Sequence, residues 1–177
     1  MEKPPATRAE LLARLKALGI EVSTVEHPPL FTVDAIAAGD DPARAATARA
    51  LRGEIPGAHT KNLFLKCKKG TLWLVVALEG AVIDLKRLHV KLGSGRLSFG
   101  REELLREVLG VPPGSVTPFS LINDPRQRVR VVLDAGMMSH EVLNFHPLEN
   151  TATTAIARDD LLAFIRDCGH MTRRSCP

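Results

Sequence analysis

His59-Thr60-Lys61-Asn62-Leu63-Phe64-Leu65-Lys66 places a lysine and an amide just ahead of an alternating apolar strand. Lys68-Lys69-Gly70 follows as a turn, and the run Thr71 to Leu78 returns as a second strand, so the two read as a β-hairpin. In the return strand Leu72, Leu74 and Val76 fall on one face and Trp73, Val75 and Ala77 on the other. Both faces are apolar, which predicts a central strand covered on both sides. A cation on the edge of such a strand is a place to hold an anionic substrate, because lysine there is costly to desolvate unless it serves a partner. The alternative is a rim lysine that snorkels to water.

Outward from the hairpin, helices and strands interleave irregularly. Thr7-Arg8-Ala9-Glu10 is a capping box, Leu11, Leu12, Leu15 and Leu18 line one helical face, and Gly19 stops the helix. Ile20 to Glu26 reads as a strand broken by His27-Pro28-Pro29. Short helices are predicted over 32–38 and 43–52, the second with Asp41 as N-cap and Pro42 at its first position. Beyond the hairpin, Asp84 caps a helix bearing Leu85, Leu88 and Leu92, and 96–99 is a short strand. Glu102 and Glu103 open another helix, which ends at Gly110. Residues 111–125 hold four prolines and read as loop; strands follow at 129–133, 142–146 and 151–157, then a helix at 159–168. The pattern predicts an α+β fold, a single compact domain with a mixed β-sheet surrounded by α-helices, over residues 1–170, with a disordered tail at 171–177.

Composition narrows the class. The chain has 177 residues, 45% hydrophobic and 25% charged, as an ordinary globular protein does. Its start lacks a secretory leader pattern and no apolar run is long enough to span a bilayer, so a cytoplasmic protein with no membrane partner is expected. Cys67, Cys168 and Cys176 are odd in number and form no CxxC pair, which points to free thiols in a reducing compartment. From Lys61 to Arg101 nine basic side chains stand against two acidic ones. In a chain of net charge +4 that leaves the flanks at −3. Such a basic middle suits a polyanion, most simply nucleic acid, or else is a solvated lysine-rich hairpin. With aromatics at 4% and no tyrosine, a base-stacking surface is not expected.

The six histidines form no metal signature, and no phosphate loop or GxSxG elbow is present, so neither metal nor other cofactor is expected. Cys67 has lysines nearby that would lower its pKa, but with no evident histidine partner it reads as a plain strand residue. Three local patterns remain. Lys61-Asn62 opens the strand. Gly114-Ser115-Val116-Thr117-Pro118 is a GxxxP loop whose amides can donate to an oxyanion, or else an ordinary proline-rich turn. His146, in Phe145-His146-Pro147, stands at a strand end, where core or solvated histidines are common.

Taken in order, His59 to Lys66, Gly114 to Phe119, Leu121-Ile122-Asn123-Asp124 and Asn144-Phe145-His146-Pro147-Leu148 resemble the YbaK/ProX superfamily of aminoacyl-tRNA editing domains. The likeness is strongest to the freestanding prolyl-tRNA editing branch, which deacylates alanine mischarged on proline tRNA, and it covers roughly residues 7 to 169. It implies that fold and trans-editing hydrolysis of mischarged tRNA(Pro), most simply Ala-tRNA(Pro). It implies that Lys61 is the functional lysine with Asn62 beside it. Gly114 and Pro118 would line the aminoacyl pocket, His146 would lie at its edge, and Arg96 would meet the acceptor stem. The implied partners are the acceptor stem and 3′ end of an aminoacyl-tRNA, with prolyl-tRNA synthetase or an elongation factor as further ones, the protein acting as a monomer. One departure is an apparent insertion at 36–50, in a segment that borders the pocket in relatives. Cys- or Ser-tRNA deacylation by the same fold and a non-catalytic tRNA-binding module are the competing readings. In the expected reaction Lys61 holds a terminal phosphate or the ester carbonyl by charge, the Gly114 loop supplies backbone donors, and the neighbouring ribose hydroxyl helps activate water.

Overall fold

A computed structural model describes residues 3–29 and 55–175. Helix α1 (Arg8–Ala17) begins as the capping box requires: Glu10 N–H donates to Thr7 Oγ1 at 3.2 Å and Thr7 N–H to Glu10 Oε2 at 2.7 Å. Strand β1 (Val22–Glu26) follows. The hairpin forms as read, with β2 (Ala58–Cys67) and β3 (Leu72–Leu78) antiparallel in a register that sets Lys61 against Ala77 and Phe64 against Leu74.

Helix α2 (Leu85–Leu92) is capped by Asp84, whose side chain accepts from Lys86 N–H at 2.9 Å. Strand β4 (Leu97–Phe99) precedes α3 (Glu102–Leu109), and both helices stop at glycines in the left-handed region, Gly93 and Gly110. Strand β5 (Val129–Asp134), β6 (Val142–Phe145), β7 (Ala152–Ala157), α4 (Arg158–Asp167) and β8 (Thr172–Ser175) complete the described chain.

The strands join in one eight-stranded sheet of order β1-β7-β6-β2-β3-β5-β8, with β4 also pairing β2. It is mixed: β2–β6, β3–β5 and β5–β8 are parallel, and the other pairs are antiparallel. Leu72 to Ala77 are all buried, because apolar layers cover both faces of β3. The larger layer gathers Leu11, Leu15, Phe64, Leu74, Val76, Phe119, Phe145, Phe164 and their neighbours. The smaller one packs Leu88 and Leu92 of α2 against Leu65, Trp73, Val75 and Val132.

Two sequence expectations give way. Within the stretch read as loop, Pro118–Asn123 winds into a 3-10 helix, started by the Thr117 side chain accepting from Phe119 N–H at 3.3 Å. Residues 172–175 of the supposed disordered tail pair in parallel with β5. That strand is polar because it is an edge, and Arg173 reaches from it to the Leu92 carbonyl at 3.0 Å, satisfying the end of α2. The helices expected at 32–38 and 43–52, the insertion at 36–50 and Cys176 lie outside the described residues. Cys67 and Cys168 are free thiols, and among the described residues no helix is long and apolar enough to cross a membrane.

Candidate functional site

Strand β2 has β3 along one edge, but two partners share the other. Its start pairs in parallel with β6 at Ala58–Leu143 and His59–Asn144, and its end pairs with β4 from Leu65 to Cys67. His59 O accepts from Glu79 N–H, and Cys67 N–H donates to Thr71 O. The odd-numbered residues of β2 therefore spend their main-chain groups on β3, and the even-numbered ones face the other edge. There Phe64 O accepts from Gly100 N–H at 2.9 Å, and Gly100 is held so close that a Cβ on it would meet the Phe64 ring at 2.4 Å. Between these attachments the sheet is split at Asn62, which has no strand partner on that edge among the described residues.

Polar groups collect at the split. The Asn62 Oδ1 is buried without a hydrogen-bond partner. So is the Oδ1 of Asn144, whose Nδ2 donates to the carbonyls of Pro56 (2.9 Å) and Ala58 (3.3 Å). Those two bonds fix which amide atom is oxygen. Thr60 Oγ1 closes the last parallel rung by donating to Asn144 O at 2.7 Å. By the register the Asn144 oxygen lies on the face of His59 and the Asn62 oxygen on the opposite one, so each face carries an orphan acceptor that a donor from a ligand would satisfy.

Alternation sorts the side chains by face. Lys61 shares a face with Leu63, Leu65 and Cys67 of the smaller layer, whereas Asn62 shares the opposite face with Phe64 of the larger one. The half-buried Lys61 lies across from Ala77 and its Nζ donates to the Ala81 carbonyl, so the loop after β3 tethers it. No ion pair neutralises it among the described residues.

His146 lies just past β6, on the face opposite Phe145 and hence on that of Lys61. Its Nδ1 lies 2.9 Å from Ala152 O, and since a carbonyl only accepts, Nδ1 carries the proton. Burial lowers its pKa below the ordinary histidine value; the Ala152 bond opposes that shift and the nearby His27 adds to it. The neutral ring presents Nε2 as an acceptor. The turn after it is tight: Leu148 N–H donates to His146 O, with Leu148 at φ 70. A non-glycine residue in that region costs about 1 kcal/mol or more, a strain found disproportionately at functional sites.

The GxxxP loop approaches from the larger layer. Gly114 takes φ 88, Pro118 is buried at the head of the 3-10 helix, and Val116 and Phe119 pack into the core. Ser115 N–H is already bonded to Pro112 O, so this loop's donors to a ligand must be its other amides. Phe119 meets Phe145 edge-on at 5.9 Å, which ties the loop to the strand that leads into His146. The Leu121–Asp124 block is scaffold. Asn123 bonds to Ala6 and Leu109, and Asp124 to Arg128, Val129 and His170.

Arg96 does not join this group. Its carbonyl accepts from Lys68 N–H at the hairpin tip, where Lys68, Lys69 and Arg96 are exposed. Seven residue steps separate Lys68 at that tip from Lys61, roughly 23 Å along the strand. Cys67 is buried in the smaller layer. Burial pushes its thiol up, but hydrogen bonds from Thr71 and the Lys69 and Gly95 main chain bring it below the ordinary value, rather than the lysine charges expected from sequence. Cys168 is pushed up to about 11 by burial. Among the described residues no group of three His, Cys, Asp or Glu side chains is placed to hold a metal ion.

Sequence reasoning missed Asn144 and His27. The first was visible only as a neighbour of His146; the second stood out only as a strand-breaking His-Pro.

Comparison with known proteins gives a family and close relatives. The Aminoacyl-tRNA editing domain family matches residues 41–164. The mouse Prolyl-tRNA synthetase associated domain-containing protein 1 is 39% identical over 168 residues, covering 92% of each chain. The Prolyl-tRNA editing protein ProX of Acetoanaerobium sticklandii is 33% identical over 161 residues, covering 90% of this chain and 91% of its own. A solved structure described as a candidate trans-editing enzyme for prolyl tRNA synthetase superposes with a TM-score of 0.63 at 22% identity, covering 97% of this chain and 96% of that one. That last likeness speaks for the fold alone.

Proposed function

Because this chain belongs to the aminoacyl-tRNA editing domain family, we propose that it is a trans-editing deacylase of mischarged tRNA(Pro), with alanine as the amino acid removed. The observation that carries this reading is the split beside β2, with Lys61, His146 and the unpartnered Asn144 oxygen on one face of the sheet and the unpartnered Asn62 oxygen on the other.

In this reading the 3′ end of the tRNA enters the split with its ester at Asn62. Lys61 holds the terminal phosphate or the ester carbonyl by charge and acts as an anchor, not as a base. The Asn62 oxygen accepts from the α-ammonium of the aminoacyl group. Water adds to the ester carbonyl carbon, and the developing oxyanion is met by main-chain donors of the Gly114 loop. The carbon–oxygen ester bond then breaks, the ribose oxygen leaves with a proton, and free alanine and tRNA result. An ester needs less help than an amide.

Pro118 and the loop before it bound the aminoacyl pocket, and selection is by size. A synthetase rejects a smaller amino acid weakly, because each missing methylene is worth only about 1–3 kcal/mol. A second pocket too small for proline supplies the rest. The cations at the hairpin tip, roughly 23 Å from Lys61, would lie along the acceptor stem and meet phosphates. Prolyl-tRNA synthetase is the partner that the relatives' names suggest.

The test is a panel of alanyl-, cysteinyl-, seryl- and prolyl-tRNA carrying the proline anticodon, with ester loss followed over time. Selective loss of alanine supports the proposal. Loss of cysteine or serine instead would reassign the pocket, and binding without turnover would mark a non-catalytic tRNA-binding module.

A further inference from the structure

His27 is buried, at 8% exposure, yet it is polar at both ring nitrogens. Its Nδ1 lies 2.9 Å from Pro28 O and its Nε2 lies 2.8 Å from Thr153 Oγ1. The carbonyl fixes the proton on Nδ1, so in the neutral ring Nε2 accepts from the Thr153 hydroxyl. The His27 ring packs 6.1 Å from that of His146, tilted by 58°. Both rings therefore donate from Nδ1 to a main-chain carbonyl, but their Nε2 atoms differ. That of His27 is consumed by Thr153, whereas that of His146 makes no hydrogen bond within the described residues.

The two histidine-bearing segments are also clasped from outside. Arg8 of α1 pairs with Glu26, the residue before His27, and with Glu149, three residues after His146, at 3.1 Å. His146 thus has its Nδ1 pinned, the His27 ring packed against it at a tilt, and its following turn closed by Leu148.

We propose that His27 is a positioning residue: held by Thr153, it fixes the His146 ring so that Nε2 accepts a hydrogen bond from a hydroxyl at the reacting ester. This rests on the deacylase reading for the identity of that ester, and only for that. The hydroxyl belongs either to the terminal ribose or to the attacking water. His27 itself touches neither.

The test combines histidine 15N NMR, which reports which ring nitrogen is protonated, with deacylation kinetics. The variants are Thr153→Val, an isosteric change in a strand, Thr153→Ser as its conservative rescue, and His27→Ala. In the wild-type protein His146 Nε2 is expected to be the unprotonated nitrogen. By freeing the His146 ring to turn away from Ala152 O, Thr153→Val and His27→Ala are expected to give mixed His146 tautomers and kcat lowered about tenfold, with KM within about twofold, as loss of alignment without loss of binding requires. Thr153→Ser should restore kcat to within about twofold.

Alanyl-tRNA ending in 2′-deoxyadenosine identifies the donor. If the Thr153→Val defect vanishes on that substrate, the ribose hydroxyl is the partner; if it persists, water is. Unchanged His146 tautomer and kcat in both Thr153→Val and His27→Ala would overturn the proposal while leaving the deacylase standing. Should the wild-type protein deacylate nothing, the NMR comparison alone decides: mixed tautomers in Thr153→Val uphold the positioning role, and an unchanged one sinks it.

Discussion

Lys61 and His146 stand on one face of the sheet, each two residues beyond the His59–Asn144 pair at which their strands stop pairing. Had β2 and β6 stayed together, the two side chains would be neighbours across an unbroken ladder. Because the strands part there, a charge and a neutral acceptor border an opening along which the main chain of Asn62 has no strand partner among the described residues.

The first prediction concerns pH. Burial depresses the His146 pKa, so the folded ring binds its proton less readily than the unfolded chain, whose histidine titrates near about 6.5. Stability is therefore constant above that value and falls as pH drops through it, because there the unfolded state takes up more protons. Urea titrations at pH 7.5 and 5.5 should show a larger loss for wild type than for His146→Gln. The rate should fall on the same acid side, and equal stability losses in both proteins would contradict the assignment.

A second prediction concerns the entry to β2. Gly57 sits at φ 97, and a Cβ there would lie 2.8 Å from Val142 Cγ1 and 3.0 Å from Asn144 Nδ2. Gly57→Ala should cost about 1–3 kcal/mol and disturb the Asn144 bonds that launch the Lys61 strand. Thermal unfolding measures the first effect, and reduced deacylation in the still-folded variant the second.

The core beneath the loop is equally specific. Phe119 is fully buried and meets Phe145 at 5.9 Å and Phe164 at 5.6 Å, both edge-on. Phe119→Ala should destabilise by about 3–5 kcal/mol, read as a shift in urea midpoint. Phe119→Leu, which refills most of the volume, should cost less.

Charge at the hairpin tip should act on binding alone. Replacing Lys68 and Arg96 by glutamine is expected to raise KM for full-length aminoacyl-tRNA and to reduce the salt dependence of kcat/KM by about two counterions. Turnover of a short aminoacylated 3′ fragment should be unaffected. An equal defect on the fragment would place Arg96 at the chemistry, against its separation from Lys61.

Local rules were the legible part of this fold. The capping box at Thr7, the Asp84 cap, the glycine stops at 93 and 110 and the hairpin turn at 68–70 each depend on residues within a few positions of one another. The split at Asn62 was illegible because it depends on β4 and β6, which follow β2 by some 30 and 80 positions and leave no mark on its own sequence. Strand β8 escaped because Thr172-Arg173-Arg174-Ser175 is polar, as an edge strand with an arginine capping another helix can be. The site followed the same division. Lys61, Asn62, Gly114, Pro118 and His146 were named from motif blocks, but which face each occupies, and the distance of Arg96, needed the register. His27 needed more, since a buried His-Pro acquires meaning only from Thr153 and His146, both over a hundred residues away.

The most direct test of the central claim is ester loss from alanyl-tRNA(Pro) with wild-type protein and with Lys61→Ala, compared with the spontaneous rate. The account predicts clear acceleration by wild type and a drop in kcat/KM of about a hundredfold or more in the variant, the range seen when a preorganised charge or donor is removed from a reacting ester. No acceleration by the wild-type protein, or full activity in Lys61→Ala, would contradict it.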